Sequence, residues 1–136
     1  MEIFAWCIMS SHIHVIFRSG NAQKPELLLD DFKRFTSKTI VQAIIDNPKE
    51  SRKEFLLEQF IKAGNKSSNV DKYQFWRHDN KPIELWSNKV IDEKIDYIHN
   101  NPVEEGYVFR PEDYLYSSAA DYAGEKGLLD NVIVVK

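Results

Sequence analysis

His12 and His14 stand two residues apart in Met9-Ser-Ser-His-Ile-His-Val-Ile-Phe17, an apolar run rich in β-formers. Successive side chains of a strand point to opposite faces, so positions i and i+2 share one face. The spacing therefore predicts two imidazoles side by side, with Ile13 and Val15 turned the other way. Imidazole is a common ligand of divalent metals, and two on a rigid strand are close enough to hold one ion. A pair of hydrogen-bonded structural histidines is the commoner use of this spacing, so the pair alone does not define a site.

The second chemistry-bearing stretch lies far along the chain, at Asp92-Glu-Lys-Ile-Asp-Tyr-Ile-His-Asn-Asn101, followed by Pro102-Val103. Ile91, Ile95 and Ile98 recur at steps of four and three, the core stripe of a helix. Tyr97 and Asn101 are four apart and share a face beside that stripe. Pro102 disfavours helical geometry at the residue before it, so Asn101 is expected to close the helix with its side chain turned toward a site. A phenol and a carboxamide there could supply a nucleophile and an oxygen ligand for a metal. They could equally be a half-buried packing residue and a helix cap.

Residues 2–9 are continuously apolar, as in a strand buried on both faces, and Ser10-Ser11 breaks them from a second strand over 12–18, making a hairpin. Residues 19–25 are a loop. Leu28, Phe32, Phe35 and Thr39 mark a helix over 26–45 that Asn47-Pro48 ends, and Ser51 with Glu54 resembles a capping box for a second helix over 52–63. Residues 64–69 read as a loop and Tyr73–His78 as an aromatic strand turned at 79–82. Ile83–Trp86 is a return strand or an extended lead-in to a helix capped by Ser87 and running to Asn101. The tail carries Tyr114, Tyr116, Ser117-Ser118 and Tyr122 and ends in the strand-like Val132–Val135.

The chain has 136 residues, enough for one domain over 1–136, with an ordinary globular composition of 43% hydrophobic and 29% charged residues. Its apolar runs are too short to span a bilayer, and no secretory signal opens it. The single cysteine, Cys7, excludes an internal disulfide, fits a reducing cytoplasm and reads as a small packed side chain. The net charge of −3 argues mildly against general nucleic-acid binding, but its distribution is uneven. Residues 18–81 hold 13 Lys/Arg against 9 Asp/Glu, and residues 82–136 hold 5 against 11. Lys33, Arg34 and Lys38, off the first helix's apolar stripe, and Arg77 are candidates to meet phosphates; a solvated helix face would look the same.

Taken together, these stretches resemble the HUH single-tyrosine transposases, including the REP-associated tyrosine transposases. The family's Met-x-Asn-His-hydrophobic-His phrase is matched by Met9-Ser-Ser-His-Ile-His14, and its Tyr-Ile-x-x-Asn-Pro-Val by Tyr97-Ile-His-Asn-Asn-Pro-Val103. Lys33-Arg-Phe-Thr-Ser37, Phe75-Trp-Arg-His78 and Tyr116-Ser-Ser118 also look like family phrases, in the family's order. The resemblance implies an α+β, ferredoxin-like antiparallel sheet with helices on one side. It implies cleavage and joining of single-stranded DNA at hairpin ends during transposition, with Mg²⁺ or Mn²⁺ and no small-molecule cofactor. His12, His14 and Asn101 would be the metal ligands and Tyr97 the nucleophile. Two departures stand out: Ser11 replaces the family's usual Asn, and the chain begins at what would be the family's second strand. A sheet lacking its first strand would expose backbone edges. The expectation is pairing with a second copy as a homodimer, or an inactive truncated relative. Rival readings are a DNA- or RNA-binding remnant without catalysis and a histidine-triad nucleotide hydrolase, whose third histidine is here Ile16. Tyr73, Phe75 and Trp76 could stack bases in either nucleic-acid reading or simply pack.

Overall fold

The computed structural model describes residues 1–66 and 72–135. Its elements in order are β1 (Glu2–Ile8), β2 (Ile13–Arg18), α1 (Pro25–Asp46), α2 (Lys53–Asn65), α3 (Asn88–Glu104), a 3₁₀ turn at Pro111–Asp113 and α4 (Ala119–Tyr122). The described residues thus form an α+β chain with four α-helices and one two-stranded antiparallel sheet. They gather into two compact bodies: Met1–Gln23 with Ile83–Lys136, and Lys24–Pro82.

In the first body the hairpin forms where expected. Cys7 faces His14, Trp6 faces Val15 and Ile8 faces Ile13, and Met9 N–H donates to the His12 carbonyl at 2.9 Å to close the turn. A register irregularity between Ile3 and Ala5 lets β1 bend. The other edge of β1 is taken by the C-terminal segment. Ile8 N–H donates to the Tyr116 carbonyl at 2.8 Å, Ser118 N–H to the Trp6 carbonyl at 3.0 Å, and Ile133 N–H to the Ile3 carbonyl at 2.9 Å. Two phenols fasten the same strand, Tyr114 to the Ile8 carbonyl at 2.7 Å and Tyr122 to the Phe4 carbonyl at 2.8 Å. The strand expected at Val132–Val135 is therefore a single parallel bridge, Ile3 to Val132.

Helix α3 packs its isoleucine stripe inward, with Ile98 joining Cys7 and Met9 in a buried cluster flanked by Ile16 and Tyr114. Ser87 caps it as expected, its Oγ accepting from Val90 N–H at 3.2 Å. Its end differs from the expectation at Asn101, because the helix runs through Pro102 to Glu104. A proline in the last turn forfeits only one backbone bond. The turn closes instead through Glu105 N–H to the Asn101 carbonyl and Tyr107 N–H to the Pro102 carbonyl, with Gly106 at φ +79°.

In the second body α2 begins at Lys53 with Arg52 at its N-cap and no side-chain cap, so Ser51 and Glu54 form no capping box. The loop expected over 64–69 begins later, since Gly64 and Asn65 complete α2, and 67–69 lie outside the described residues. The aromatic segment Tyr73–His78 is extended but enters no sheet among the described residues. Two neighbouring rings pack on different helices: Phe75 on Phe60 at 5.4 Å, and Trp76 beside Phe32 at 6.3 Å with its Nε1–H donating to Thr36 Oγ1 at 2.9 Å. Ile83–Trp86 is an extended lead-in rather than a strand. No helix among the described residues is long and apolar enough to cross a membrane.

Cys7 is fully buried, and burial pushes its thiol up to about 11, well above the ordinary value. The native protein should therefore resist iodoacetamide at pH 8 over a period in which the unfolded chain is fully alkylated. Equal rates with and without denaturant, followed by mass spectrometry, would contradict this packing.

Candidate functional site

β2 and α3 carry the site. His14 lies on β2 opposite Cys7, and its ring meets the Tyr97 ring edge to face with centroids 5.9 Å apart at 80°. His12 stands in the hairpin turn just before β2, exposed, with its ring 4.9 Å from that of His14 at 89°. Ser11 puts its Oγ 3.3 Å from His12 Nδ1. The structure thus brings together the two imidazoles and the phenol. Asn101 follows one turn beyond Tyr97, inside the helix rather than at its end.

Burial, and secondarily the neighbouring His12, lower the His14 pKa from the usual imidazole value. That favours the neutral ring, the form with a lone pair to give. Two buried polar atoms here have no hydrogen-bond partner among the described residues, His14 Nε2 and Asn101 Nδ2. Such atoms cost roughly 1–3 kcal/mol each when left unpaired, a cost that a bound ligand can offset. An orphaned imidazole nitrogen next to a second imidazole fits a divalent cation. On Asn101 only Oδ1 can ligate, while Nδ2 can donate to an anion. Among the described residues no three His, Cys, Asp or Glu side chains gather into a metal site.

Tyr97 is 58% exposed, and its hydroxyl makes no hydrogen bond among the described residues. One side of it borders an open pocket of about 600 Å³ whose lining includes Glu93, Asp96 and Glu112, a poor surface for phosphates. On the ring itself lies Lys94, its Nζ 5.7 Å from the centroid.

The basic residues sit in the second body. Lys33 Nζ donates to the Arg77 carbonyl at 2.6 Å and to Asn80 Oδ1 at 3.0 Å, which ties down the segment after α2. Arg34 pairs with Asp31 at 3.4 Å and Arg77 with Asp79 at 3.0 Å, whereas Lys38 is exposed on α1.

A polar network behind the site has no sequence signature. His99 Nε2 lies 2.8 Å from Ser118 Oγ, which also accepts from Trp6 N–H at 2.9 Å. His99 belongs to α3 and Trp6 to β1, so the fully buried Ser118 clamps the tyrosine helix to the strand that pairs with β2. Burial lowers the His99 pKa, against opposing pulls from Asp96 and Asp121.

With two histidines less basic when folded than when unfolded, the unfolded chain binds more protons between those values and about 6.5. Stability is unaffected above that window, falls as pH drops through it, and stays reduced below it. The melting temperature should decline between pH 7 and pH 5, and less steeply in His14→Gln. A flat profile over that range would refute the assignment.

Comparison with protein-family models, with curated proteins and with solved structures returns no match for this chain.

Proposed function

We propose that this chain is a metal-dependent tyrosine nuclease and strand-transferase for single-stranded DNA, of the HUH transposase kind. The observation that carries the reading is the meeting of His12, His14 and Tyr97, from distant parts of the chain, beside the orphaned Nε2 of His14. An exposed phenol with no hydrogen-bond partner among the described residues, against one imidazole of an adjacent pair, fits a nucleophile better than a packing residue.

In this reading His12, His14 and Asn101 would hold Mg²⁺ or Mn²⁺. When bound, such an ion polarises a phosphate and offsets negative charge on its oxygens. The Tyr97 oxygen attacks phosphorus: the O–P bond forms, the P–O3′ bond breaks, the phenolic proton passes to solvent water and the leaving oxygen takes a proton from solvent to become a 3′-OH. The 5′-phosphotyrosine keeps the bond energy for rejoining. We further read β1 and β2 as part of a ferredoxin-like sheet. Among the described residues β2 pairs only with β1, so its second edge is the place where another copy would add a strand. A stable monomer by light scattering would exclude that pairing.

The nuclease reading is tested by incubating the protein with single-stranded hairpin DNA and Mn²⁺. A covalent adduct that survives a denaturing gel is expected. Binding without any adduct would leave a nucleic-acid-binding remnant.

A further inference from the structure

Resting on that nuclease reading, we propose that Lys94 is a catalytic residue that grips a non-bridging oxygen of the scissile phosphate while Tyr97 attacks it. The first body is acidic, with six Lys/Arg against twelve Asp/Glu. Its cationic side chains are nearly all committed to carboxylates: Arg18 to Glu2, Lys89 to Glu93 at 4.0 Å, Arg110 to Asp113 at 2.9 Å and Lys126 to Asp130 at 3.1 Å. Among the described residues of this body Lys94 alone has no carboxylate within 4.0 Å. It leans over the Tyr97 ring instead.

Position explains the use. Lys94 precedes Tyr97 by three residues and Asn101 follows it by four, so the phenol lies between an ammonium and the carboxamide on one helix face. A phosphate drawn to Tyr97 is repelled by Glu93, Asp96 and Glu112 in the adjoining pocket. It is attracted by Lys94. As the Tyr97 O–P bond forms and the P–O3′ bond breaks, charge gathers on the non-bridging oxygens, and the ammonium pairs with it without giving up a proton.

The test compares the full-length protein with Lys94→Met and Lys94→Arg in single-turnover adduct formation, using saturating hairpin DNA and Mn²⁺, alongside DNA affinity by anisotropy. Lys94→Met should slow the adduct-forming step roughly 10- to 100-fold. Affinity, spread over many phosphates, should change by no more than about threefold. Lys94→Arg, which keeps the charge, should recover most of the rate. A Lys94→Met protein as fast as the parent overturns the assignment and leaves the nuclease reading standing. Equal slowing in both variants with a lowered melting temperature makes Lys94 a packing residue and also overturns it. No adduct from the parent protein overturns both.

Discussion

Tyr97→Phe should yield no DNA adduct, a fall of at least roughly 10³-fold, and should melt at the same temperature as the parent. The two halves of that result belong together. The substitution deletes one oxygen, and that oxygen bonds to nothing among the described residues of the folded chain. The ring stays, so its edge contact with His14 and its place under Lys94 stay too. Changes at exposed positions without such features usually move stability by less than about 0.5 kcal/mol. A packing role for Tyr97 therefore forecasts no phenotype, and a nucleophilic role forecasts complete loss. An adduct that persists in Tyr97→Phe would place the nucleophile elsewhere. His14→Ala should also reduce the adduct strongly, because it removes the orphaned nitrogen beside the phenol.

The second large effect is on stability. Ser118→Ala should cost about 2–4 kcal/mol, since it strips a partner from Trp6 N–H and from His99 Nε2, both in buried residues. For a protein of this size the melting temperature should drop by about 10 °C. Adduct formation should decline as well, because the serine joins α3, which carries Tyr97, to β1, which holds β2 and His14. Ser10→Ala, at an exposed position, serves as the control and should change little. A Ser118→Ala protein that melts like the parent would show that the network is not a clamp.

What could be read from the chain beforehand is instructive residue by residue. The hairpin and α3 were legible because their patterns are local: a polar break at Ser10-Ser11, an isoleucine stripe, a serine cap. The closeness of His12 to His14 follows from strand geometry, although His12 itself sits in the turn. Tyr97 against His14 is a tertiary contact, and the sequence supported it only through the resemblance of two separated phrases. Tyr73–His78 misled because aromatic alternation also suits a segment packed between helices: here Phe75 meets α2 and its neighbour Trp76 meets α1, with no neighbouring strand among the described residues. Asn101 misled because a proline is cheap in a helix's final turn. Ser118 was illegible as a clamp, since its partners are Trp6, 112 positions away, and His99. Lys94 was within reach, three residues from the tyrosine, but nothing in composition distinguishes an unpaired lysine from its paired neighbours.

The attachment of β1 also bears on how the chain matures. Among the described residues its second edge is met by the backbone of Tyr116, Ser118 and Ile133, so that edge stays open until synthesis has passed at least Tyr116. Contacts spanning such distances are slow to form. Lys24–Pro82, a compact body by itself, can organise while the opening hairpin still waits for its last neighbours.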